Sequence, residues 1–365
     1  MSKYTRIGEG TYGCVIEPSL HCKKKQSKNT YKKKVSKVML TRHADEEMRE
    51  YGLISKADPN QRYYLGKPIS CKVKDNRKTR KVIKKCKRAD KYLKNINDTS
   101  LIIMENGGIN LSMLSDNIKN WKNTPQHRKK IRDILFEFRR LFEGIQVFLK
   151  KDIIHHDIKP QNVVYNMNTN RMNIIDFGLM RNFTESVTKS RKSANWITAY
   201  AHWSYPLETQ FLNHDKYMDF VSKTPNEKKR FVEKMRKDIS NDSNDKFTDS
   251  FYIFCSYIVD PHVTEHEGNE FKKHIINDYV EFITKVMNKH NYNEVLKQSF
   301  KTYDTYGIGL SIAQLTFAMK SLIHENMYNE LRDFAYKLVH PDVFKRMNVD
   351  DALQKYDDIL RVNFS

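Results

Sequence analysis

An α+β fold, with strands gathered in the first third of the chain and helices through the rest, is what this sequence predicts, and three observations predict it. Short apolar or β-branched runs at Cys14-Val15-Ile16, Val35-Ser36-Lys37-Val38-Met39 and Leu101-Ile102-Ile103-Met104 have strand length and are bounded by glycine or charge. From Ile131 onward, apolar residues recur at three- and four-residue steps, the period of a helix. At 365 residues the chain is long for one core and suits two.

Taken in order, the first element is a hairpin. Gly8-Glu9-Gly10-Thr11-Tyr12-Gly13-Cys14-Val15 has the pattern G-x-G-x-x-G, in which glycines without Cβ let backbone N–H groups approach phosphate oxygens closely. The same pattern opens dinucleotide-binding folds, where it turns from a strand directly into a helix. Here Cys14-Val15-Ile16 continues as a strand, which suits a hairpin. A glycine-rich turn with no ligand is the plainer alternative. In the next strand, Lys37 is a basic side chain among apolar neighbours, whereas Lys32, Lys33 and Lys34 read as a solvated edge. Glu47 and Glu50 follow on a helix, three residues apart and so on one face; one can pair with Lys37 while the other meets solvent. Leu101 to Met104 then gives way to Glu105-Asn106-Gly107-Gly108, as a buried strand entering a connector would. Ile131, Leu135, Phe138, Leu141, Phe142, Ile145, Phe148 and Leu149 mark one long amphipathic helix, which reads as core and not as chemistry.

The chemistry follows that helix. His155-His156-Asp157-Ile158-Lys159-Pro160-Gln161-Asn162 is succeeded, fourteen residues later, by Asp176-Phe177-Gly178. Phosphoryl transfer from ATP needs a carboxylate to orient the acceptor, a cation beside the moving phosphate and oxygen ligands for Mg²⁺, and this stretch supplies all three. Asp157 carries the only carboxylate of the loop and Lys159 the cation. Asn162 and Asp176 offer the hard oxygens that Mg²⁺ demands. His155 reads as a packing residue, because no Cys/His cluster surrounds it. In order and spacing these motifs resemble the eukaryotic-type protein kinase superfamily, over nearly the whole chain.

The resemblance implies a bilobal fold: a β-rich N-lobe with one main helix at 1–105, and a mostly helical C-lobe at 106–365 with a large helical insertion at about 213–300. It implies a kinase that transfers the γ-phosphoryl group of ATP to protein hydroxyls, and lysine at position 159 resembles the serine/threonine class. Gly8, Glu9, Gly10, Thr11, Tyr12, Gly13 and Val15 would then cover the nucleotide. Lys37 would anchor its α- and β-phosphates, with Glu50 the best fit to the family's partner glutamate and Glu47 the alternative. Met104 would stand behind the adenine as gatekeeper or else be a core methionine, buried in either reading. The backbone from Glu105 to Gly107 would hydrogen-bond the base. Trp203-Ser204-Tyr205-Pro206-Leu207-Glu208 looks like the end of an activation segment with one residue interposed, and Thr198 is the candidate threonine contact to Asp157 and Lys159. Arg346, in His340-Pro341-Asp342-Val343-Phe344-Lys345-Arg346, is similar to the late arginine that pairs with the terminal glutamate. Asp304, in Asp304-Thr305-Tyr306-Gly307-Ile308-Gly309, resembles the aspartate at the start of the central helix, bracing the catalytic loop through its N–H groups.

Two departures stand out. His156 replaces the usual arginine; it titrates near neutrality and lacks the guanidinium fork that clamps a phosphorylated loop. Activity that survives phosphatase treatment is therefore expected, and a large drop after treatment would contradict this. Ninety-five residues separate Glu208 from Asp304, far more than the family's usual connection. Alternating charged and apolar blocks there predict helices with a packed face, serving substrate or partner selection or simple structural elaboration.

Composition adds bounds. Five cysteines, odd in number and without paired C-x-x-C spacing, predict neither a disulfide framework nor a zinc site and point to a reducing compartment. No apolar run approaches the ~20 residues of a membrane span, and the glycine loop at Gly8 leaves no room for a signal peptide. An intracellular setting is expected, cytoplasmic, host cytoplasm or virion. The Lys-, Asn-, Ile- and Tyr-rich composition and the insertion resemble the divergent kinases of large DNA viruses. The net charge of +21 is concentrated early, with thirteen Lys or Arg between Lys67 and Lys94. Such runs are either solvated loops or a surface for acidic protein or nucleic acid; with few aromatics interleaved, base stacking is not signalled. A catalytically weak pseudokinase scaffold would lose the lysine, aspartate or metal ligands, which are present; a basic nucleic-acid-binding protein on a kinase fold is the other alternative.

Overall fold

The computed structural model describes residues 4–10, 13–192, 204–240 and 265–364. Thr11, Tyr12, Thr198, Trp203 and the middle of the expected insertion lie outside the described residues. The chain divides into two compact units, Met1–Gly108 with Ile175–Gly178, and Ile109–Ile174 with Leu179–Ser365.

The first unit is built on an antiparallel sheet of order β1-β2-β3-β5-β4, from β1 (Thr5–Glu9), β2 (Gly13–Glu17), β3 (Lys34–Leu40), β4 (Ile69–Lys72) and β5 (Thr99–Glu105). Helix α1 (Thr41–Ala57) follows β3 directly, while α2 (Arg77–Ile83) and α3 (Ala89–Lys94) lie between β4 and β5. Because side chains alternate along a strand, β5 serves both faces of the sheet. Leu101 and Ile103 join a core of Cys14, Ile16, Val38, Val82, Ile83 and Tyr92. Ile102 packs with Met39 and Ala44, where Met104 is only partly buried. Met104 was expected to be buried; it falls short because the chain leaves the sheet at the next residue, the exposed Glu105.

The cysteine expectation is overturned. Cys14 is bonded to Cys86 and Cys22 to Cys71. Partners lie 72 and 49 residues apart in sequence, one of each pair in a strand and the other in a connecting segment, so no local spacing marks them. The inference of a reducing compartment, which rested on unpaired thiols, falls with it.

The second unit is mostly helical. It comprises β6 (Ile109–Asn110), α4 (Leu111–Lys119), α5 (Pro125–Lys150), β7 (Ile153–Ile154), β8 (Val163–Asn166), β9 (Arg171–Ile174), β10 (Arg181–Asn182), α6 (Phe183–Lys192), α7 (His214–Ser222), α8 (Pro225–Ser240), α9 (Glu265–Glu281), α10 (Tyr292–Ala318), α11 (Glu325–Leu338) and α12 (Val349–Phe364). Helix α5 starts at a Thr124 cap followed by Pro125, a residue suited to the first turn, and buries Ile131, Leu135, Phe138, Leu141, Phe142, Ile145 and Phe148. Two small ribbons, β6-β8-β9 and β7-β10, present the loop between β7 and β8. The central helix α10 starts at Tyr292, not at Asp304 as the resemblance implied. The cause is a capping box: Asn291 Oδ1 accepts from Glu294 N–H and Glu294 Oε2 from Asn291 N–H. The described parts of 213–300 are helical and pack through Phe211, Phe220 and Phe231, while Tyr279 donates to Leu207 O at 3.1 Å. Among the described residues no helix is long and apolar enough to cross a membrane.

Candidate active site

In the first unit, Lys37 is the centre of a charge cluster. The ε-ammonium lies 2.7 Å from Glu47 Oε2 and 3.2 Å from Asp176 Oδ1. Its stem crosses Gly13, where a Cβ would stand 2.8 Å from Lys37 Cγ, so this glycine gives the lysine its path. Burial alone would lower the lysine pKa, but the Asp176 and Glu47 carboxylates outweigh it and raise it, keeping the ammonium charged. Asp176 adopts left-handed backbone, φ +64°, and retains 44% of its side-chain exposure. Phe177 fixes it from behind, with edge contacts to Tyr51 at 5.6 Å and Tyr64 at 6.2 Å.

The partner of Lys37 is thus Glu47, and Glu50, the better match by pattern, does not pair with it. Since α1 begins immediately after β3, position 47 already reaches Lys37, and position 50 is one turn farther on. Burial, then the charges of Glu47 and Asp176, push the Glu50 carboxyl up to about 8. The hinge candidates occupy the end of β5. Glu105 pairs with Lys34 at 3.1 Å and Asn106 Nδ2 donates to Glu17 Oε1 at 2.6 Å.

In the second unit, the loop between β7 and β8 holds three further candidates in mutual contact. Lys159 Nζ lies 2.8 Å from each oxygen of Asp157. Asn162 Nδ2 donates to Asp157 O and Oδ2, both at 2.8 Å, which orients its own Oδ1 away as an acceptor. The loop is braced from α10: Asp304 Oδ2 accepts His155 N–H at 2.7 Å and Oδ1 accepts His156 N–H at 2.9 Å. Burial pushes the Asp304 carboxyl up to about 6 against the pull of those two amides. These bonds hold His156 at φ +67°, a region that costs a non-glycine residue roughly 1–3 kcal/mol. His155 Nδ1 accepts the Asp157 N–H at 3.3 Å, so His155 supports the loop and is buried.

Two features around this loop depart from or add to the sequence reading. His156 was expected to titrate near neutrality, yet burial, then the charges of Arg181 and His155, push it down to about 3. Its ring stacks on Tyr303 at 4.4 Å, and neither nitrogen has a hydrogen-bond partner among the described residues. Gly307 lets α10 touch the loop: a Cβ there would stand 2.3 Å from Ile158 O. A glycine inside a helical pattern was the available signal.

Farther out, Arg346 and Glu208 form a two-pronged ion pair, Nη1 to Oε1 and Nη2 to Oε2 at 2.8 Å each, with both side chains 0% exposed. Ser299 Oγ donates to Glu208 Oε1 at 2.6 Å and Arg346 Nε to His340 O at 3.0 Å, so the buried charges are hydrogen-bonded as well as paired.

Comparisons with known proteins supply the family. The family model described as protein kinase domain matches residues 1–201, more than half of the chain, and the chain belongs to that family. A probable casein kinase I homologue of Encephalitozoon cuniculi is 24% identical over 90 residues, a stretch that covers 24% of this chain and 30% of that relative.

Proposed function

We propose that this chain is a serine/threonine protein kinase that uses Mg²⁺·ATP, with an N-lobe at 1–105 holding the nucleotide and a C-lobe at 106–365 positioning the acceptor. The observation that carries the reading is the Asp157 carboxylate, fixed by Lys159 and Asn162 and braced through Asp304. In this reading Asp157 orients the acceptor hydroxyl and takes its proton as the O–P bond forms, while the γ-phosphate separates from ADP. Lys159 offsets negative charge on the moving phosphoryl group. Lys37, kept charged by its carboxylates, anchors the α- and β-phosphates, with the glycine-rich segment from Gly8 to Gly13 and Val15 covering the nucleotide and the Met104-to-Gly107 segment reading the base.

A hard-oxygen donor set suits Mg²⁺, and the Asn162 amide oxygen and Asp176 carboxylate would hold it, where the ion neutralises phosphate charge. Specificity for serine and threonine rests on Lys159 and on the likeness to a casein kinase I homologue. The neutral, stacked His156 supports activity independent of activation-loop phosphorylation. Exposed Lys23, Lys24, Lys25, Lys28, Lys81 and Lys84 favour an acidic protein or nucleic acid as a further partner.

The test is incubation with γ-labelled ATP, Mg²⁺ and basic and acidic protein substrates, followed by phosphoamino-acid analysis, alongside Lys37→Met. Label on serine and threonine that is lost in the variant is the expected result. Label on tyrosine alone would refute the specificity, and equal labelling by the variant would refute the role of Lys37.

A further inference from the structure

Glu9 and Cys14 are register partners that close the β1-β2 hairpin at its glycine-rich end, and both are tied to one turn outside the hairpin. Cys14 is bonded to Cys86, with Cα atoms 6.0 Å apart. The Glu9 carboxylate accepts the amide N–H of Lys87 at 2.8 Å on Oε2 and that of Arg88 at 3.1 Å on Oε1, and Arg6 Nη1 donates to Oε2 at 2.9 Å. The Glu9 side chain is consequently only 7% exposed, although β1 is an edge strand. The start of β1 is held by the same region. Tyr4 O accepts from Lys85 Nζ, and the Lys78 ammonium lies 4.9 Å over the Tyr4 ring.

The turn can serve as an anchor because it is itself fixed. Cys86 N–H donates to Ile83 O at 2.9 Å, Ala89 N–H to Cys86 O at 3.2 Å, and Ile83 and Cys86 are part of the core. A two-stranded tip on a sheet edge is otherwise free to fray. The other bond, Cys22–Cys71, joins the stretch after β2 to β4 and leaves the tip untouched.

We propose that the turn at Cys86, Lys87 and Arg88 is a positioning anchor that holds the glycine-rich loop ready for nucleotide, with the Cys14–Cys86 bond as its covalent half. This rests on the kinase reading above. A small dithiol reduces the bond by exchange: two electrons pass to the sulfurs, two thiols form and the dithiol becomes a disulfide. The carboxylate half remains, so the loop loosens without loss of the sheet.

Full-length protein tests this. Alkylation in denaturant, before and after dithiol treatment, should count four fewer free thiols before; no difference would overturn the inference. Hydrogen exchange of the Gly8 to Val15 amides, binding of a fluorescent ATP analogue with Mg²⁺, and melting temperature are then compared for wild type, Cys86→Ser and Cys71→Ser. Since apparent affinity scales with the competent fraction, Cys86→Ser should bind about 5-fold more weakly and exchange faster in the hairpin, with Cys71→Ser within about twofold of wild type. Equal affinity and exchange for Cys86→Ser and wild type would overturn the inference while leaving the kinase reading intact. Wild type that binds no nucleotide, with the hairpin still loosened in Cys86→Ser, would instead refute the kinase reading.

Discussion

The two units hold their polar side chains by different means. The smaller one relies on a five-stranded sheet, two disulfides and a charge cluster around Lys37 whose Asp176 member stays half-exposed. In the larger one, whose described residues contain no cysteine, Asp304, Gly307 and the Glu208–Arg346 pair are set into a mostly buried helix and its neighbours. Size explains the contrast. A small unit buries a lesser share of its surface, so links that restrict the unfolded chain weigh more; a larger helical core can bury and satisfy charges outright.

Breaking the covalent side of that comparison should have the largest effect. Loops of 72 and 49 residues correspond to about 4 kcal/mol each in the chain-entropy account, so dithiol should lower the melting transition of the first unit steeply and leave that of the second in place. Calorimetry with and without reductant checks this. Next, Arg346→Met strands a fully buried carboxylate and should cost about 3–5 kcal/mol, whereas Glu208→Leu combined with Arg346→Met should recover most of it in denaturant titrations. Gly307→Ala forces a methyl group against Ile158 O and should cost about 1–3 kcal/mol, with kcat falling more than nucleotide affinity.

The smallest effect is one of pH. His156 faces Arg181, His155, Tyr205 and Tyr303 and has its pKa lowered to about 3 from 6.5. Between those values the unfolded chain binds a proton that the folded chain refuses, so stability is full above 6.5 and is lost as pH falls. Relative to His156→Phe, which keeps the stack, wild type should lose about 2 kcal/mol more on going from neutral pH to about pH 5. Parallel stability–pH curves for the two proteins would contradict this.

How much of this was legible in the sequence depended on how local the signal was. Strands at Cys14 to Ile16, Val35 to Met39 and Leu101 to Met104 follow from short apolar or β-branched runs, and the helix through Phe138 from a three-to-four-residue period, signals that each segment carries alone. The motif residues meet within their units: Lys37 with Asp176, Asp157 with Lys159 and Asn162, Asp304 with the His155 and His156 amides, Glu208 with Arg346. What escaped is long-range or a matter of angstroms. Which cysteines meet depends on how connecting segments fold back onto strands; Glu47 and Glu50 share a helix face and differ by one turn of reach. The depressed pKa of His156 comes from burial against Tyr303, nearly 150 residues away, which no local pattern encodes.

Asp157→Asn tests the enzymatic reading most directly, because it removes the charge with little change of shape and leaves one amide oxygen to accept from Lys159 and Asn162. Single-turnover transfer from Mg²⁺·ATP to a protein substrate should fall at least about a hundredfold, the scale of a lost general base, with ATP affinity within about twofold of wild type. Transfer by the variant at the wild-type rate would contradict the assignment of Asp157 and the phosphotransfer chemistry built on it.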